Sequence, residues 1–194
     1  LGATVVVKEI TGAAGARTYT TVDNVSAKAR YKTKDEATSD LNYPCVIPAA
    51  SYVWSYWKSH CLALSGSFTR INNLRWYPPG TISWTLGTGG GVFVAQRATG
   101  DHGCPDASYA QATGTEGTQG DGIFTSHAYY LVGAGGAASV IATTYTSGSM
   151  MTVDSGNHDA AEYTKSIVSQ AKIYNDATQG LQSAITLTFV WDEI

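Results

Sequence analysis

The chain has 194 residues, with 15 acidic against 12 basic side chains and a formal net charge of -3. That balance gives no basis for binding nucleic acid by phosphate neutralisation, and no window holds the roughly 18 consecutive apolar residues of a helical membrane span. Charged residues are only 14% while aromatics reach 11% and glycines number 21, which favours a β-rich secreted or assembly-forming protein over a cytosolic enzyme. At roughly 100–200 residues per domain, one domain over residues 1–194 is expected. The opening LGATVVVKEI lacks a basic start and a long apolar run, so it does not read as a signal peptide. Three cysteines, Cys45, Cys61 and Cys104, are an odd number and no disulfide framework.

In chain order, Ala3 to Ile10 reads as a strand, Thr11 to Gly15 as a turn and Arg17 to Val22 as a Thr- and Tyr-rich second strand. Val25 to Thr33 alternates, with Ser26, Lys28, Arg30 and Lys32 opposite Val25, Ala27, Ala29 and Tyr31; this predicts a strand with one wet, basic face. Lys34 to Asn42 is a polar loop. Pro44 and Pro48 bracket Cys45-Val46-Ile47, which suits an edge or the start of a strand. Ser51 to Ser65 is the most aromatic stretch. Read at period two, Tyr52, Trp54, Tyr56, Lys58, His60, Leu62 and Leu64 share one side. Such a row fills a sandwich core or a subunit contact, or stacks sugars or bases.

The stretch Asn72 to Gln96 reads as three β segments: one around Leu74 and Trp76, one alternating Ile82, Trp84 and Leu86 with Ser83 and Thr85, and the doubly buried run Val92 to Ala95. Pro78-Pro79-Gly80 and Gly87 to Gly91 turn the chain between them. Arg97 to Gly122 is a long soft segment of the kind that carries function or meets a partner. Strand patterns resume at Ile123 to Val132 and Ala138 to Thr146, around a glycine turn at 133–136. Ser147 to Asp159 reads as a polar connection. Glu162 to Tyr174 fits helix or strand spacing. With the turn Asn175 to Gly180 and the alternating Ala184 to Trp191 it makes a coherent hairpin, which favours strand.

Few constellations suggest chemistry. Cys61 beside His60, with His102 and Cys104, is the best metal candidate by ligand type. Neighbours on a strand face opposite ways, so core cysteines and surface histidines are the preferred reading. A Cys61–Cys104 or Cys45–Cys61 disulfide stays open. Asp154-x-x-Asn157-x-Asp159 offers oxygens to Ca²⁺ but lacks the full ligand series of a calcium loop. The glycine clusters precede no Lys-Ser/Thr and match no nucleotide loop; G-x-S-x-G and H-E-x-x-H are missing. Asn24-Val25-Ser26 fits a glycosylation triplet, and His127 reads as a strand residue. The expectation is no enzyme, no cofactor and no resident metal.

The segment Lys165 to Tyr174, the turn Asn175 to Gly180 and Leu187 to Glu193 resemble the closing hairpin of small β-sandwich virion proteins of tailed bacterial and archaeal viruses. The N-terminal strand, glycine turn and Thr-rich strand are similar too, as is Leu74-Arg75-Trp76-Tyr77 before a Pro-Gly turn. The resemblance implies a capsid-associated (decoration or minor capsid) or tail-associated subunit, packed as homo-oligomeric rings or trimers. Its partners would be copies of itself and other virion proteins, not nucleic acid or membrane.

The expected architecture is an all-β antiparallel sandwich, jelly-roll or a related Greek key, with long Gly-rich loops. Interaction candidates are Tyr52, Trp54, Tyr56, Trp76, Tyr77, Asp101 and His102. The alternatives are a secreted carbohydrate-binding module, with the five aromatics as a stacking platform, or a cell-surface or filament subunit.

Overall fold

The computed structural model describes residues 2–23, 28–96, 109–123 and 140–194. The Asn24 triplet, Asp101, His102, Cys104, His127 and the glycine turn at 133–136 lie outside them.

The alternating segments become strands where cross-strand partners satisfy their backbone. β1 (Ala3–Thr11), β2 (Thr18–Thr21), β3 (Tyr52–Trp54), β4 (Lys58–Gly66), β6 (Gly91–Gln96), β7 (Gly114–Thr115), β8 (Gln119–Gly120), β9 (Val140–Ile141) and β11 (Ile167–Tyr174) form a nine-stranded sheet. β10 (Met151–Asp154), β5 (Ile71–Tyr77) and β12 (Thr188–Glu193) form a three-stranded one. All pairings are antiparallel. The two sheets close on one core. Leu62, Leu64, Val92, Val94 and Ile167 of the large sheet meet Ile71, Leu74, Trp76, Met151 and Val153 of the small one. Each such side chain contributes about 1.5–3 kcal/mol by leaving water. The chain is an all-β antiparallel sandwich.

β11 is the centre of the large sheet. β6 pairs with one edge over Ile167 to Lys172. The other edge is shared: Ile167 to Ser169 pair with β4 and Lys172 to Tyr174 with β3. Between the two registers, residues 55–57 stand opposite only residues 170–171, a one-residue bulge. Ser55 fills the gap. Its N–H donates to the Ala171 carbonyl at 2.9 Å and its Oγ accepts from the Ala171 N–H at 3.0 Å. The extra residue reverses the facing of everything before it. Tyr52 and Trp54 therefore lie on the outer face with Lys172 and Tyr174, while Lys58, His60, Leu62 and Leu64 lie on the inner one. The single aromatic row expected over Ser51 to Ser65 is split between two faces.

Several other expectations are corrected. Among the described residues, 28–33 form no strand, and Lys32 is buried, its ammonium 2.6 Å from both Glu36 and Asp40. The loop it belongs to covers the inner face beyond the small sheet, where Tyr31 donates to Ser169 at 2.8 Å and Lys58 to the Glu36 carbonyl at 2.6 Å. Cys45 to Ile47 are not strand; only Pro44 bridges Lys32. The polar connection after Ser147 contains β10, whose Met151 and Val153 enter the core. Ile82 to Leu86 alternate in burial as expected but join no ladder. They are held instead by single bonds, Tyr174 N–H to the Leu86 carbonyl and Trp84 Nε1 to the Ser183 carbonyl. The segment 167–174 is strand, yet its expected hairpin partner pairs with β5 in the opposite sheet.

Candidate binding surface

The outer face of the large sheet is covered over half its length. Residues 109–123 lay Ala112 and Ile123 over Tyr56, Trp57, Ala95 and Val168. Gln170 fastens this cover: its Nε2 donates to the Ser55 and Asp121 carbonyls at 2.7 and 2.6 Å, and its Oε1 accepts from the Ile123 N–H at 3.1 Å. Both amide ends of a fully buried glutamine are thus satisfied, as a buried polar group requires.

Beyond Gln170 the same face carries an aromatic cluster. β3 supplies Tyr52 and Trp54, β6 supplies Phe93, and β11 supplies Lys172 and Tyr174. Register explains the gathering, because Lys172 stands opposite Trp54 and Tyr174 opposite Tyr52. Tyr52 and Trp54 meet edge to face with centroids 5.9 Å apart, and Trp54 meets Phe93 likewise at 5.4 Å. The Lys172 ammonium sits 3.9 Å from the Tyr52 ring centre, 5.0 Å from Tyr174, 5.3 Å from Trp54 and 5.9 Å from Phe93. Four rings turned on one cation give cation–π attraction of about 0.5–1 kcal/mol per exposed contact. Tyr52 is 42% exposed, and Ile141, opposite Phe93, is 41% exposed. Beside the cluster runs a groove of about 490 Å³ bounded by Tyr52, Trp54, Gln119 and Asp121.

The sequence-based candidates therefore separate. Tyr52 and Trp54 belong to this surface. Tyr56 is buried in the bulge under the 109–123 cover. Trp76 is fully buried between the sheets, and Tyr77 ends β5 half-buried in the other sheet. The five aromatics cannot form one platform. Cys61 is buried against Ile10 and Tyr109. Cys45 is a free thiol in a different cluster, so the Cys45–Cys61 disulfide is not made; burial pushes its pKa up to about 12. Asp154, Asn157 and Asp159 do not converge: Asp154 turns to His158 and the Gly156 N–H, while Asp159 takes Arg70 at 2.7 Å. Among the described residues no group of three His, Cys, Asp or Glu side chains is placed to hold a metal. Lys172, Phe93 and Tyr174 were missed. Lys172 and Tyr174 lie on the alternating β11 and Phe93 on the apolar run of β6, strands whose partners across the sheet the sequence does not name.

Among the described residues, two charged clusters lie inside besides the Lys32 group. Under the 31–45 loop, Lys58 and Glu9 pair at 2.7 Å, with His60 Nε2 at 3.8 Å from the second Glu9 oxygen. Burial pushes the Glu9 pKa up, but His60 and Lys58 outweigh it and hold the carboxyl below its usual range. Beside β5, His158 is held between Asp154 at 3.3 Å and Glu162 at 2.6 Å, with Lys165 3.6 Å from Asp154. The His158 N–H and carbonyl both bond Ile71, which ties the segment after β10 to the small sheet. Neither cluster contacts the aromatic surface: the first spans the β1–β4 ladder, where Glu9 stands opposite His60, and the second ties the segment after β10 to the small sheet.

Comparison of the chain with models of protein families, with curated proteins and with solved structures found no match.

Proposed function

We propose that this chain is a structural subunit of a virion, capsid-associated or tail-associated, that works by contact with copies of itself and with neighbouring shell proteins. The observation that carries this reading is the set of exposed apolar side chains at 41–47, in the loop before β3. Leu41 is 66% exposed, and Val46 and Ile47 are each 38% exposed. These three large aliphatic side chains lie within seven residues of one loop, and an apolar stretch of this kind is suited to a protein–protein contact. The scarcity of charge agrees, since contact cores are depleted of charged residues and enriched in Tyr and Trp. β12 adds an edge: it pairs with β5 on one side and has no ladder on the other among the described residues. Such an edge can take a further strand from a neighbour.

Sedimentation velocity on the wild type and on Val46→Asp/Ile47→Asp tests the reading. The wild type is expected to sediment as an oligomer and the double variant as a folded monomer. An oligomer that survives both substitutions would remove the loop from the contact, and a wild type that stays monomeric throughout would count against assembly.

A further inference from the structure

We propose that the outer-face cluster centred on Lys172 binds a saccharide residue carrying a carboxylate, of the uronic or sialic acid type. This goes beyond assembly, because the residues named for it all belong to one subunit. The charge pattern leads to it. Lys32, Lys34, Lys58 and Lys165 each have an acidic partner within 4.0 Å, while Lys8 donates to the Thr21 hydroxyl and Lys28 is exposed to solvent. Lys172, half-buried among rings, has none among the described residues. A cation held in place by aromatic rings and lacking a counter-charge is a ready seat for a carboxylate, with which it makes a charge-assisted bond.

The surroundings specify a sugar. The C–H face of a pyranose packs on the negative face of an aromatic ring, and Tyr52, 42% exposed, has ring surface beyond the face that Lys172 covers. The groove beside it has a volume of about 490 Å³, and Gln119 and Asp121 stand exposed on its wall. Lys172 is not on the groove's lining, so the sugar ring would lie in the open groove with its carboxylate reaching past Tyr52 to the ammonium. An amide and a carboxylate together donate to and accept from hydroxyl groups. A simple acidic peptide would satisfy Lys172 but leave these hydroxyl-matching groups unused.

The test measures binding by tryptophan fluorescence and calorimetry with oligogalacturonate and sialyllactose, each paired with its carboxyl-reduced form, and with a glutamate-rich peptide. At least one acidic sugar is expected to bind about tenfold more tightly than its reduced form, the scale of one charge-assisted hydrogen bond. Lys172→Gln should erase that difference while the protein stays folded, with Tm lowered only by the lost ring contacts, Lys172→Arg should restore most of it, and Tyr52→Ala should weaken both forms. No binding of either acidic sugar at millimolar concentration would overturn the proposal. So would equal binding of acidic and reduced forms, or equal binding of the peptide.

Discussion

Lys58 and Glu9 are 2% and 0% exposed, with their charged atoms 2.7 Å apart. Removing one partner strands the other charge in the interior. Lys58→Met is therefore expected to cost about 3–5 kcal/mol, while Lys58→Met with Glu9→Gln recovers most of it, because replacing both members of a buried pair is often nearly neutral. Urea unfolding of the two variants measures both. His158 gives the pH response. Burial pushes its pKa down, but the bonds to Asp154 and Glu162 outweigh that and raise it above 6.5. A raised folded-state value means the His158 contribution is full below pH 6.5 and is lost as pH rises through the folded pKa. Asp154 behaves oppositely. Burial pushes its pKa up, yet His158, the Gly156 N–H and Lys165 hold it well below the carboxylate range. Its contribution is present above about pH 3.8 and lost as pH falls below that. Other charges near this segment are Lys165, 3.6 Å from Asp154, and Arg70, which pairs with Asp159. Thermal melts from pH 5 to 9 should show Tm declining above pH 6.5, and His158→Gln should flatten that decline.

At the scale of elements, the bulge at 55–57 decides what each face of the large sheet presents. Gly120 packs against it: a Cβ there would run into the Ser55 carbonyl and the Tyr56 backbone. Gly120→Ala is expected to cost about 1–3 kcal/mol, as overpacking does, and to alter tryptophan fluorescence, since Trp54 pairs with Gly120. Deleting one residue from 55–57 is expected to abolish the native fold, because it would turn Tyr52 and Trp54 inward. Circular dichroism and near-ultraviolet spectra would show the loss.

The same elements explain what the sequence revealed. β1, β2, β5, β6 and β11 announce themselves by alternation or by a short apolar run between turns. The bulge has no glycine or proline to mark it, so the aromatic row looked continuous and half of the Lys172 cluster stayed hidden. β10 is only four residues long within a polar stretch. Lys32 looked solvated because its partners Glu36 and Asp40 lie in a loop whose path the sequence does not state. The closing hairpin failed because alternation identifies strands but not the sheet each one joins.

For the whole molecule, the large and small sheets enclose the main core, the 109–123 cover closes a second apolar cluster on the outer face of the large sheet, and apolar side chains remain exposed on the 41–47 loop, at Tyr52 and Ile141, and at Leu181. With 14% charged residues, such a surface is suited to burial against neighbours. The most direct test of the assembly account is the mass of the purified protein by light scattering over a hundredfold concentration range, with electron microscopy of the same sample. Closed rings or trimers of constant subunit number are the predicted result. A monomer at every concentration, with no ordered particles in the images, would contradict it.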